Sequence, residues 1–175
     1  MIKRLVIALP ALFLAVPASA VEESYAGVQF SQFEYDQNEA GSVDPTMVLG
    51  RFGGTVDQYF GFEARLGLGL SGDSMSIDDE STEVDIDYLV GGYGVARLPI
   101  AGTITPYGIA GVTLADFSAD SDAITASGTE TGLSWGIGVE ASVTPVASVG
   151  LEYMQYFDDS SYDVTALSLG FRMRF

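Results

Sequence analysis

The chain has no cysteine, no histidine and a single lysine, Lys3. Each absence removes a class of explanation. Without cysteine there is no disulfide, so an exported chain of this size must be held by other means, such as a closed hydrogen-bond network. Without histidine, no side chain has an ordinary pKa near neutrality, and a site that shuttles protons at neutral pH lacks its usual base. Beyond Lys3 and Arg4, the only cations are Arg51, Arg65, Arg97, Arg172 and Arg174, set against 24 acidic residues. That balance excludes nucleic acid as a partner, because phosphate contacts need Lys and Arg. Long apolar runs are missing too. The run Leu5 to Val16 is too short for a spanning helix, which needs about 20 apolar residues.

What is present begins with that short run. Lys3 and Arg4 precede it, and Ala18-Ser19-Ala20 closes it with small residues. This is the pattern of a cleavable secretory signal peptide over residues 1–20, exported by the general secretory route. Residue 21 is valine rather than cysteine, so a lipid-anchored lipoprotein is not expected. One domain is then expected over residues 21–175. Strong acidity often accompanies disorder. Here it coexists with 47% hydrophobic residues, 21 glycines, 10 phenylalanines and 9 tyrosines. Apolar stretches must therefore be segregated from acidic, Ser-rich ones.

The apolar stretches repeat with period two, the signature of strands. Eight are expected. The first, about 24–35, sets Ala26, Val28 and Phe30 against Gly27, Gln29 and Ser31. In the second, about 46–55, Val48 and Phe52 oppose Arg51 and Gly53. The third, about 58–70, is clearer: Phe60, Phe62, Ala64, Leu66, Leu68 and Leu70 face away from Gly61, Glu63, Arg65, Gly67 and Gly69. The fourth, about 84–98, sets Ile86, Tyr88, Val90, Ala96 and Leu98 against Asp85, Asp87, Gly91 and Arg97. In the fifth, about 103–115, the pattern is weak, and Ala110, Val112 and Leu114 are expected outward. The sixth, about 131–143, alternates Leu133, Trp135, Ile137, Val139, Ala141 and Val143 with Ser134, Gly136, Gly138, Glu140 and Ser142. The seventh, about 147–158, opposes Val149, Leu151, Tyr153 and Phe157 to Gly150, Glu152 and Met154. The eighth, 166–175, alternates Leu167, Leu169, Phe171, Met173 and Phe175 with Ala166, Ser168, Gly170, Arg172 and Arg174.

A strand with one bulky apolar face and one small or charged face separates two media. Lipid cannot satisfy open strand edges, so such strands cross a membrane only as a closed barrel. Each is long enough to cross when tilted, which takes ~9–11 residues. The expected fold is an all-β, eight-stranded, antiparallel, up-and-down transmembrane barrel. Tight connections near Val56-Asp57, Pro99 to Gly102 and Thr144 to Val146 alternate with longer, polar ones: Asp36 to Pro45, Ser71 to Glu83, Asp116 to Glu130 and Asp158 to Tyr162. Short periplasmic turns and long extracellular loops have that asymmetry.

The same alternation turns ten charges inward: Arg51, Arg65, Arg97, Arg172 and Arg174 with Glu63, Glu140, Glu152, Asp85 and Asp87. An eight-stranded barrel is just wide enough for side chains to fill. The lumen is therefore expected to be a polar, nearly neutral plug. If the tight turn pairs residue i with residue 114 − i, Arg51 lies across from Glu63 with Arg65 two residues on. An Arg51–Glu63–Arg65 cluster is then expected, because buried charges need partners.

The motifs Phe52-Gly53-Gly54, Tyr59-Phe60-Gly61-Phe62-Glu63, Gly138-Val139-Glu140, Thr144-Pro145, Leu151-Glu152-Tyr153 and Leu167 to Gly170 with a terminal Arg-Phe resemble, in order and spacing, the transmembrane domain of OmpA and related small outer-membrane barrels. The resemblance covers essentially the whole of residues 21–175. It implies residence in the outer membrane of a Gram-negative bacterium, among lipid and lipopolysaccharide, as a monomer. It also implies insertion by the barrel-assembly machinery, with Phe175 as the terminal aromatic that machinery recognises. Glu63 and Glu140 match acidic lumen positions of the family. Val95 and Gly150 stand where basic partners are expected, so a gating switch is not implied. The chain stops at the barrel, so cell-wall tethering through a peptidoglycan-binding domain is not implied either.

Two motifs point elsewhere and fail on context. Gly67-Leu68-Gly69-Leu70-Ser71-Gly72 fits G-x-G-x-x-G, but an acidic segment rather than a helix comes after it. Gly132-Leu133-Ser134-Trp135-Gly136 fits G-x-S-x-G, which needs a strand-to-helix elbow and a histidine base. Enzymatic outer-membrane barrels resemble one another in using histidine, so no catalytic residue is assigned. No cofactor or metal site is assigned either. Asp73, Asp78, Asp79, Glu80 and Glu83, and Asp116, Asp120, Asp122 and Glu130, offer oxygen ligands to divalent cations. They lack EF-hand spacing and read first as solvated, repulsive surface. The expected function is non-enzymatic: envelope structure or surface interaction through loops. The alternative is a narrow passive channel for ions or very small solutes. A soluble lipid-binding barrel would need the opposite facing, an apolar interior and a polar exterior.

Overall fold

A computed structural model describes residues 21–37, 41–43, 45–71, 73–77, 80–100, 103–120, 125–158 and 162–175. The expected signal peptide lies outside the described residues. The described elements are all strands: β1 (Glu23–Gln37), β2 (Gly41–Val43), β3 (Thr46–Thr55), β4 (Phe60–Ser71), β5 (Asp73–Ile77), β6 (Glu80–Arg97), β7 (Ile104–Asp120), β8 (Thr125–Ser142), β9 (Ala147–Asp158) and β10 (Tyr162–Arg174). Eight of them form the barrel wall. Each pairs antiparallel with its neighbour, in the order β10-β9-β8-β7-β6-β4-β3-β1, and β10 closes on β1. The closing seam runs from Tyr25 opposite Arg174 to Gln37 opposite Tyr162. It leaves no open edge among the wall strands, the condition for standing in lipid.

The alternation places the faces as expected. Leu66, Leu68, Leu133, Ile137, Leu169 and Phe175 are exposed on the outer surface, Leu133 and Phe175 at 80%. Ala110 also lies exposed, while Tyr107, Ile109, Thr113 and Ala115 are buried in the lumen. Strand β7, despite its weak pattern, thus has the facing expected of it.

The tight ends are built by short polar side chains. Asp57 Oδ1 accepts the N–H groups of Tyr59 (2.7 Å) and Phe60 (2.6 Å), satisfying donors the ladder cannot reach. Thr144 Oγ1 does the same for Ala147 at 2.9 Å. Glycine is required where lumen tyrosines lie flat on the wall. A Cβ on Gly53 would run into the ring of Tyr25, and one on Gly138 into the ring of Tyr107.

Three expectations change. First, the polar connections are partly strand. β5 pairs β6 from Asp73 opposite Val84 to Ile77 opposite Glu80, and β7 and β8 stay paired out to Asp120 and Thr125. Beyond the lipid, a hairpin needs no apolar face to keep its ladder, so polar sequence continues it. Second, Phe157 is buried rather than outward. Val164 pairs Phe157 while Thr165 pairs Gln155, so Tyr156 is a bulged residue. One extra residue inverts the facing of the residues beyond it. Third, the interior is not wholly polar. Phe33, Met47, Leu49, Leu89, Met154 and Val164 belong to a buried apolar cluster inside the wall.

Candidate functional site: the charged lumen

The turn between β3 and β4 sets the site's register. Val56 N–H donates to the carbonyl of Phe60, and Thr55 pairs Gly61. The turn is thus two residues longer than a centre at position 57 allows, which moves the register by two and keeps every facing. Arg51 therefore lies opposite Arg65, and Glu63 opposite Gly53. The expected pairing of Arg51 directly across from Glu63 is corrected by that shift. Like charges opposite one another on a sheet repel. Glu63, one step diagonal from Arg51, resolves the conflict by taking both cations.

Arg51 Nε and Nη2 donate to Glu63 Oε1 and Oε2 at 3.0 and 2.9 Å, a bidentate pair. Arg65 Nε donates to the same Oε1 at 2.7 Å. Arg65 then forks onto Glu152 across the lumen, Nη1 to Oε1 at 2.6 Å and Nη2 to Oε2 at 2.7 Å. On the other side Arg51 Nη2 lies 3.7 Å from Glu140 Oε1. Arg172 Nη2 lies 2.7 Å from Glu140 Oε2, out of line for a hydrogen bond. The result is an alternating ladder: Glu152, Arg65, Glu63, Arg51, Glu140, Arg172. All six are buried.

Three neutral residues complete it. Tyr25 O–H donates to Glu63 Oε2 at 2.8 Å, Tyr107 O–H to Glu152 Oε2 at 2.8 Å, and Gln29 Nε2 to Glu152 Oε1 at 3.0 Å. An ionised carboxylate has about four lone-pair sites. Glu63 and Glu152 each accept four hydrogen bonds and are full. Sequence reading assigned no partners to these carboxylates beyond arginine. The signal was available: Tyr25 shares the parity of Gly27 and Gln29, and Tyr107 has the parity opposite to outward Ala110.

The remaining expected residues fall otherwise. Arg97 is buried but pairs with no carboxylate among the described residues; its Nη2 donates to Tyr25 Oη at 3.0 Å. Arg174 sits at the rim, half-exposed, with Nη2 on the carbonyl of Pro145 (2.9 Å) and Nη1 3.5 Å from Glu23. It is not part of the lumen plug, because it stands at the last strand residue, level with the turns. Phe175 is exposed at the same rim, its N–H donating to the carbonyl of Ser24 at 2.9 Å. Asp85 and Asp87 lie outside the residues whose side chains are described.

Above the ladder, toward the polar hairpins, the lumen changes character. Phe33 and Tyr156 stack with centroids 5.1 Å apart. Tyr93 Oη, Thr113 Oγ1 and Ser134 Oγ are linked at 2.6 Å each, and Ser134 donates to the carbonyl of Tyr156 at 2.9 Å. Ser134 is thus a hydrogen-bonded wall residue in extended β8 with no elbow. Gly67 to Ser71 lie in extended β4. Neither motif has the context its chemistry needs. Among the described residues no group of three or more acidic side chains is placed to hold a metal ion.

Residues 6–175 match the family model for the outer membrane protein beta-barrel domain. Among solved structures, the chain is similar to Ail, the attachment invasion locus protein of Yersinia pestis, at 16% identity and TM-score 0.65, over 87% of this chain and 98% of that one. It is similar to neisserial surface protein A at 18% and 0.68, covering 87% and 97%. It is also similar to OprG of Pseudomonas aeruginosa at 15% and 0.58, covering 89% and 97%. No curated protein sequence is significantly similar to it.

Proposed function

The chain belongs to the outer-membrane β-barrel family and is an outer-membrane barrel protein. From that premise we propose that it is a non-conducting, non-enzymatic anchor that presents its polar hairpins at the cell surface, for envelope structure or surface interaction. One observation carries the reading. The lumen is filled twice along its axis, by the saturated ion ladder and then by the apolar cluster around Phe33 and Leu49. A pore needs a continuous wet path, and the apolar layer opposes one. The absence of catalysis is supported by the same saturation. Glu63 and Glu152 have no lone pair left for a substrate or a water.

The turn side then faces the periplasm and the hairpins face outward. Partners on this reading are outer-membrane lipid and lipopolysaccharide, with the barrel-assembly machinery acting at Phe175. Ail has been solved in complex with a heparin analogue, sucrose octasulfate. The Asp- and Glu-rich hairpins of this chain would repel such a polyanion, so its surface partner is proposed to be cationic or bridged by divalent cations.

Planar-bilayer recording on the refolded protein tests the reading. The expected trace is flat. Stable single-channel steps would overturn the anchor and favour a narrow passive channel for ions or very small solutes.

A further inference from the structure

The charge count of the described lumen does not close. Arg51, Arg65, Arg97 and Arg172 are buried there against Glu63, Glu140 and Glu152. The odd cation is Arg97, 6% exposed at the turn-side mouth. No carboxylate among the described residues, the C-terminal one included, lies within ion-pair distance of it. Its Nε and Nη1 are buried without a hydrogen-bond partner, and so is Nε of Arg172, which is 7% exposed. Both guanidiniums rest against the one ring of Tyr25, their central carbons 5.3 and 4.7 Å from its centroid. The mouth therefore holds two cations beside one aromatic ring, with three unclaimed N–H donors.

A guanidinium cannot shed its proton to escape burial. A buried cation without a counter-charge is strongly destabilising, so the site demands an anion. Among the described carboxylates inside the lumen none is spare. Glu63 and Glu152 are saturated, Glu140 already faces two arginines, and Asp85 and Asp87 stand at the opposite end of β6 from Arg97. We propose that the turn-side mouth binds a small oxyanion of the phosphate class, held by Arg97 and Arg172 beside Tyr25. Planar N–H forks match such oxygens, which is why arginine rather than lysine serves there. Both arginines are more than nine-tenths buried, which favours a small free ion over a bulkier phospholipid headgroup. The apolar cluster behind it makes this a site of residence rather than of passage.

Calorimetric titration tests this on the folded chain in non-ionic, phosphate-free detergent, at constant ionic strength, with inorganic phosphate as the probe. Saturable heat is expected for the unaltered protein. Arg97→Gln is expected to weaken binding at least roughly tenfold, because a charge-assisted pair is lost. If that variant does not fold, Arg97→Lys keeps the charge, loses the fork and is expected to bind measurably more weakly. Three results would overturn the proposal. One is no saturable heat from the unaltered protein. Another is undiminished heat in the variants, meaning an adventitious ion only. The last is heat that appears only after anionic phospholipid is added, which would make the lipid headgroup the ligand.

Discussion

The two halves of the lumen solve one problem by opposite chemistry. Near the turns, β3, β4, β8, β9 and β10 fill the bore with paired charges. Toward the hairpins, β1, β3, β6, β9 and β10 fill it with Phe33, Leu49, Leu89, Met154 and Val164. Arg65 is the boundary, forked onto Glu152 on one side and lying 5.1 Å from the ring of Tyr93 on the other. The apolar half is non-directional, and any well-packed set of that volume would serve. The charged half is specific: each oxygen of Glu63 and Glu152 is claimed by a named donor on another strand. We read the charged half as fixing the arrangement of strands around the bore and the apolar half as sealing it.

Breaking the charged half is expected to cost most. Arg65→Met strips Glu63 and Glu152 of their shared cation while both stay buried, and should destabilise by about 3–5 kcal/mol. Urea unfolding in lipid vesicles measures it. Replacing Arg65 and Glu152 together by apolar residues should be milder, since no charge is then orphaned on that side. Leu49→Ala attacks the seal and should cost about 2–4 kcal/mol, as expected of a cavity. That variant should still show a flat bilayer trace, because the ladder remains. Conductance from Leu49→Ala alone would mean that the ladder is permeable. Gly53→Val tests the fit between wall and plug. Its side chain displaces the ring of Tyr25, at about 1–3 kcal/mol. Arg174→Gln should be smallest, under about 1 kcal/mol, because that pair is exposed at the rim. A large loss there would place Arg174 within the plug after all.

The halves also differed in how they could be read. On the charged side, period-two contrast was strong: Glu63 and Arg65 between Phe62, Ala64 and Leu66 admit one facing. Strand count, facing and the Arg51, Glu63 and Arg65 grouping were all legible there. The direct opposition of Arg51 and Glu63 was not, because it depended on two residues of turn length, in a turn that Asp57 holds. On the apolar side the contrast vanishes. Met47, Val48 and Leu49 are all apolar, yet alternate between lumen and exterior. Hydrophobicity cannot tell packed interior from lipid, so the seal was invisible to pattern. The bulge at Tyr156 was hidden for the same reason, since Tyr156 and Phe157 are both aromatic and either facing fits. The unpaired state of Arg97 was also out of reach, because partners across a lumen depend on shear between strands that are not neighbours in sequence.

The seam between β1 and β10 carries a consequence in time. Residues 25–37 find their second hydrogen-bonded neighbour only in residues 162–174. Contacts so distant along the chain pay their full loop-closure cost before returning any stability. Until they form, β1 and β10 both present bare edges, which hydrocarbon does not tolerate. Without another protein to cover those edges, the barrel would not be laid into the membrane strand by strand; its first and last strands would have to arrive together.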